Sequence, residues 1–281
     1  MISFLPFLLI FLFGLTLGSF LNCLIYRFEV GENFLRGRSY CPHCKHILSW
    51  KDLIPVFSFI ILKGKCRYCK KPISWQYPLV ELTTAILFVL IFWILDSNPP
   101  ATLPFLRAPF GFDLAFGFWN LIFYLVIACF LIIIFVYDLK HYIIPDKIIY
   151  PAIAATLIFN FLPHQIFGGG FNQFSIFKFS ILSALGAAGF FLAIVLISHG
   201  KWLGLGDVKL AFFMGLFLGF PNILFALFLA FFIGAIIGIG LIISGKKTLK
   251  SEVPFGPFLV TGTFLAMFWG ERIINWYLTL I

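Results

Sequence analysis

Eight apolar runs dominate this sequence, at about 1–26, 79–96, 115–137, 148–163, 177–198, 208–220, 222–244 and 257–277. A bilayer's hydrocarbon core takes about 20 apolar residues per helical crossing. Lipid offers backbone amides and carbonyls no water, so only helices and closed barrels span it. Continuous apolar runs, as opposed to short alternating ones, specify helices. Charged residues make up only 11% of the chain, against about 25% in soluble domains. The sequence therefore predicts an all-α, polytopic membrane protein of about eight transmembrane helices.

The formal net charge of +9 would suit a nucleic-acid partner, but the placement of the charges gives it another origin. Of 20 Lys and Arg, 17 fall in the segments 27–78, 138–147, 199–209 and 245–251, leaving Arg107, Lys178 and Arg272 elsewhere. Threading the eight runs alternately puts all four segments on one side, which the positive-inside rule assigns to the cytoplasm. The basic excess thus reports orientation in the inner membrane, and no nucleic acid is expected as partner.

The first run lacks a basic leading region and continues for about 26 residues before Arg27. Signal-peptide apolar cores are about 7–15 residues, so it reads as a retained span. The outer connections 97–117 and 163–173 are rich in Pro and Gly, the latter with Gly168-Gly169-Gly170. Leu53 to Leu62 is apolar but too short to cross; it packs within its loop or lies at the membrane interface. Gly14/Gly18 and Gly234/Gly238 stand one helical turn apart and read as close helix packing. The sixth run is short: 11 residues separate Lys209 from Pro221, about 16 Å of helix against a core of about 30 Å. Either the polar Gly204–Lys209 stretch dips into the membrane plane, in a protein-lined watered cavity, or the bilayer is locally thinned.

The largest basic loop carries Cys41-Pro-His-Cys44 and Cys66-Arg-Tyr-Cys69, two C-x2-C pairs separated by 21 residues. Such a pattern delivers four thiolates to a tetrahedral Zn2+. Disulfides are the competing reading, disfavoured in a reducing cytoplasm. Four cysteines fill a zinc site, leaving His43 and His46 as solvated loop residues. Cys23 and Cys129 lie within spans and read as small apolar core residues. Residues 1–26, 27–78 and 79–281 thus read as a first helix, a cytoplasmic zinc-binding loop and a membrane core of about seven helices.

Carboxylates at membrane depth are costly and functional by default. Asp138 closes the third span in Tyr137-Asp-Leu-Lys140, and Asp207 sits in Gly204-Leu-Gly-Asp-Val-Lys209, just before the short sixth. Both fall at the same side of the membrane, so they are placed to face each other and share a proton. One then activates water while the other donates to the attacked carbonyl. Gly204 and Gly206 allow close backbone approach beside the acid. Asp146, after Pro145, reads first as a helix start. Glu81 is a further buried-acid candidate, with no partner legible from spacing.

Together these motifs resemble the type IV prepilin peptidases, aspartic membrane proteases with a Gly-x-Gly-Asp signature, over almost the whole chain. Gly18-Ser-Phe-Leu-Asn-Cys-Leu-Ile-Tyr-Arg27 resembles the family's N-terminal motif, with Cys23 and Leu24 where small aliphatics are more usual. The four cysteines, Tyr77-Pro-Leu-Val-Glu-Leu82, Asp138 through Asp146, Gly204 to Lys209 and Pro254-Phe-Gly-Pro-Phe258 resemble its other conserved stretches. The resemblance implies Asp138 and Asp207 as the catalytic pair, with Gly204, Gly206, Lys209 and Asp146 supporting them. It implies prepilins or pseudopilins in the membrane as substrates, cut on the cytoplasmic side after a glycine. It also implies N-methylation of the new first residue with S-adenosylmethionine. No Gly-x-Gly-x-x-Gly occurs in the chain, so methyl transfer rests on the resemblance alone.

Three other readings compete: a peptidase without methyltransferase activity, a proton-coupled transporter using the membrane aspartates, and a membrane-anchored zinc module that binds nucleic acid or protein. Transporter folds often carry repeated halves, and the four-cysteine loop occurs once. A zinc module leaves the glycine-flanked Asp207 unexplained.

Overall fold

The computed structural model describes residues 4–32, 37–97, 114–161, 173–245 and 253–280. The connections read at 97–117 and 163–173, Gly168-Gly169-Gly170 included, fall mostly outside these residues, as does most of the basic stretch 245–251. Among the described residues the secondary structure is helical, apart from two isolated β-bridges. The elements are α1 (Phe4–Val30), α2 (Phe57–Ile61), α3 (Gln76–Ser97), α4 (Leu114–His141), α5 (Asp146–Phe161), α6 (Gln173–Ile197), α7 (Leu205–Leu218), α8 (Asn222–Ile243), α9 (Gly256–Leu265) and α10 (Glu271–Leu280). A π-helical turn, Ala266–Gly270, joins α9 to α10.

Helix stands at all eight places where the sequence reads a span. Five of these helices are long and apolar enough to cross a membrane: Phe4–Val30, Gln76–Asp96, Phe118–His141, Phe177–Ile197 and Asn222–Ile243. Of the rest, α5 has 16 residues and α7 has 14, about 24 and 21 Å at 1.5 Å per residue. Helix α7 starts at Leu205, so Asp207 lies inside its first turn. The sequence reading placed that acid just before the helix. Even so lengthened, α7 falls well short of a hydrocarbon core of about 30 Å.

The chain divides into two compact units, Met1–Ser97 and Asn98–Ile281. In the first, α1 packs along α3 with glycines at the seam. A Cβ on Gly14 would stand 2.6 Å from the Ala85 Cα, and one on Gly18 would stand 2.6 Å from the Glu81 Cα. The two backbones therefore touch, the approach that small residues permit in lipid. Asn22, almost wholly buried, donates to the Tyr77 carbonyl at 3.0 Å. On α3's opposite side Leu79, Leu82, Ile86 and Trp93 are exposed, and Trp75 extends this stripe at helical spacing beyond the helix start.

In the second unit α6 packs on α7, α8 on α9, and α4 on both α5 and α9. Close approaches again fall at glycines: Gly215 faces the Ala184 backbone and Gly262 the Ala226 carbonyl. Gly234 meets the Phe258 ring, but nothing approaches Gly238, so the second small-residue pair packs through one member only. Leu131, Ile134, Ile149, Phe191, Phe213 and Leu259 are fully buried among these helices.

Candidate active site and metal centre

The four cysteines come together. Their sulfurs all lie within 4.8 Å of one another, with Cys41 and Cys69 Sγ at 3.9 Å. Four thiolates at the usual Zn–S distance of 2.3 Å stand about 3.8 Å apart, so the cluster fits a tetrahedral zinc ion.

Each cysteine pair sits on the same tight turn. The Cys41 amide donates to the His46 carbonyl and the Lys45 amide to the Cys41 carbonyl; Cys66, Lys70 and Lys71 repeat the arrangement. Lys45 and Lys70 carry the left-handed backbone of each turn, at φ 57° and 60°. The sequence holds the matching repeat, which a search for spans overlooks: Cys-x-x-Cys-Lys-x-x-(Leu/Ile)-Ser-Trp at 41–50 and again at 66–75. Cross-ties hold the turns together. The His46 ring lies 3.7 Å from that of Tyr68, and Arg67 Nε reaches Asp52 Oδ1 at 2.6 Å. Burial works against ionisation of Asp52, but Arg67 and Ser49 outweigh it and hold the carboxyl below its usual range.

Burial opposes ionisation of Cys41 too, yet the amides of Cys44 and His43 and the neighbouring thiols bring it down to about 7. Cys69 takes a hydrogen bond from the Lys71 backbone, but burial and the other three thiols push it up to about 11. Four negative sulfurs at this spacing need a cation among them. His43 and His46 are exposed, as read from the sequence.

A buried acid ties this loop to a span. Glu81, at 6% exposure, accepts the Val56 amide at 2.7 Å. Val56 is a β-branched residue held at φ 61°, where such side chains are strained. Glu81 was singled out without a partner, because a contact across 25 residues leaves no mark in spacing.

In the second unit, Asp138 lies in the last turn of α4 at 4% exposure. Asp207 lies half-buried in the first turn of α7 and reaches back to accept the Gly204 amide at 3.1 Å. The two carboxylates are within electrostatic reach of one another. Gly206 lets the start of α7 sit close to the turn before α5: a Cβ there would stand 3.1 Å from the Ile144 side chain. Ile144, in the turn between α4 and α5, is thereby pressed onto the start of α7.

Asp146 opens α5, the helix start expected of it, and pairs with Lys209 Nζ at 2.5 Å. Lys209 also lies 5.1 Å over the Tyr150 ring. The structure thus joins Asp146 and Lys209 at the partly exposed rim and places Asp138 and Asp207 deeper. Sequence reasoning left Gly256 unassigned. Its amide donates to the Asp138 carboxylate, and a Cβ there would stand 2.5 Å from Oδ2.

Two family descriptions match the sequence: the bacterial peptidase A24 N-terminal domain over residues 12–95 and the type IV leader peptidase family over residues 125–239. A prepilin leader peptidase/N-methyltransferase of Aeromonas hydrophila is 31% identical, across 97% of this chain and 94% of its own length. Its counterpart in Bacillus subtilis is 33% identical across 96% of this chain and 97% of its own length, and that of Legionella pneumophila 30% across 97% and 94%. No solved structure matches the chain. With a buried and a half-buried carboxylate at the ends of α4 and α7, a four-cysteine loop and this full-length likeness, the chain belongs to the type IV leader peptidase family.

Proposed function

We propose that this multi-pass membrane protein is a prepilin leader peptidase that also N-methylates the residue it exposes. The observation that carries the reading is the placement of Asp138 and Asp207 within electrostatic reach of each other at the ends of α4 and α7, one buried and one half-buried. Two carboxylates within reach of each other's charge favour keeping one protonated while the other is ionised. The ionised member takes a proton from water as the oxygen attacks the scissile carbonyl, and the protonated member donates to the carbonyl oxygen. Collapse of the tetrahedral intermediate breaks the C–N bond: the leaving amine takes the proton from the carboxyl that gained it, and one hydroxyl returns its proton to the carboxylate that had donated one. Asp146 and Lys209 brace the rim, while Gly204 and Gly206 let α7 approach.

Cys41, Cys44, Cys66 and Cys69 hold a structural zinc ion, which when bound cross-links a loop with little apolar core of its own. S-adenosylmethionine is the methyl donor the second activity requires; the names of the relatives support that assignment, and no residue is assigned to it. Substrates are prepilins or pseudopilins in the inner membrane, with the zinc loop and both aspartates on the cytoplasmic side. The first unit then comprises the first span, the loop and the span after it, and the second the peptidase core. Exposed Trp50, Phe57, Ile60, Ile61 and Trp75 set the loop's apolar side against the headgroup layer, where Trp is favoured.

The test is cleavage of a prepilin by the purified full-length chain and by its Asp138→Asn and Asp207→Asn variants. Both variants should lose cleavage; wild-type turnover by either removes the two-aspartate reading. Labelled S-adenosylmethionine should mark the mature product, and unlabelled product leaves a peptidase alone.

A further inference from the structure

The amino end of α9 lies against one of the two aspartates, and its sequence leaves that end uncapped from within. A helix start exposes amides that need acceptors, normally supplied by Ser, Thr, Asp or Asn at the N-cap. Here the N-cap is Phe255, which has no side-chain acceptor, and Pro257 has no amide. The Gly256 amide is instead taken by the carboxylate of Asp138, from α4.

The fit is tight. A Cβ on Gly256 would stand 2.5 Å from Asp138 Oδ2 and 3.1 Å from its Cγ. Any larger residue displaces either the helix start or the carboxylate. Asp207 gets its amide from its own helix, at Gly204. Asp138 has no such local donor in its position near the carboxyl end of α4, and it borrows one from a distant helix. Helix starts favour an anion placed at them.

We propose that Gly256 is a positioning residue for Asp138: the start of α9 is a third wall of the aspartate site, and it fixes the carboxylate's direction. This rests on the reading of Asp138 as catalytic.

The experiment uses the full-length protein in Gly256→Ala, Asp138→Ala and double-variant forms, with kinetics on a prepilin and thermal unfolding of each. The expected result is kcat at least about tenfold lower for Gly256→Ala with KM within about twofold, since the change strikes alignment and not binding. The unfolding temperature lost by Gly256→Ala should be regained largely in the Asp138→Ala background, because the added methyl then has room. Gly262→Ala, whose methyl would meet the Ala226 carbonyl, should cost the same in both backgrounds. Unchanged kcat in Gly256→Ala overturns the proposal, and so does an unfolding cost that ignores residue 138. If Gly256→Ala fails to fold, recovery of folding in the double variant supports the proposal and its absence overturns it. Asp138→Asn separates the two levels: an inactive Asp138→Asn beside a fully active Gly256→Ala removes only the positioning role, whereas an active Asp138→Asn removes the reading beneath it.

Discussion

The cysteine loop and the aspartate site are built on opposite principles. The loop gathers its four sulfurs from residues 41 to 69 by using one turn twice. The aspartate site gathers its groups from residues 138, 207 and 256, each at the end of a different helix. A local site of this kind is held by its own turns and by the metal proposed for it, whereas a distributed site is held by helix packing. Damage to the loop should therefore stay in the loop and the α1–α3 seam it is tied to, while the aspartate site should answer to small changes in side-chain volume wherever helix ends meet.

The sharpest contrast comes from the acids. Asp138→Asn and Asp207→Asn should each lower cleavage by about a thousandfold or more, in the upper range for loss of a general acid or base, with zinc content unchanged. Next, Cys44→Ser should take zinc from about one per chain to near none by elemental analysis. Cleavage should stay within about tenfold of wild type; a complete loss would show that the loop governs the aspartate site and would break the comparison. Asp146→Asn removes only a rim ion pair, with Lys209 30% and Asp146 59% exposed. Such pairs contribute about 0–1 kcal/mol, so turnover should fall less than about tenfold in the same assay. The smallest effect concerns the loop's apolar side: Ile60→Asp with Ile61→Asp should raise protease cutting within residues 37–75 by a few-fold in membranes, and leave it unchanged in detergent.

The sequence made the two sites legible to different depths. Hydropathy located every helix long enough to span, because burial in lipid imposes one pattern on any such segment. The cysteines were legible because metal geometry restricts their spacing. Asp138 and Asp207 stood out as acids at the ends of apolar runs, and resemblance made them a pair. What escaped was the contact partner in each case: Val56 for Glu81, Gly256 for Asp138, Ile144 for Gly206. Those contacts depend on helix register and depth, which an apolar run with no polar face does not specify. The start of α7 moved for a related reason, since Asp207 can accept its own N-cap amide and so extends the helix through a polar stretch.

The tie between Glu81 and Val56 has a thermodynamic consequence. Glu81 meets Gly18 of α1 with its backbone and the strained loop residue with its carboxylate, so one residue takes part in both the helix seam and the loop. By reciprocity, if a metal in the loop tightens the seating of α1 on α3 by some factor, a loosened seam weakens the metal by that same factor. Should the loop hold zinc as proposed, its affinity becomes a gauge of how well α1 and α3 are packed.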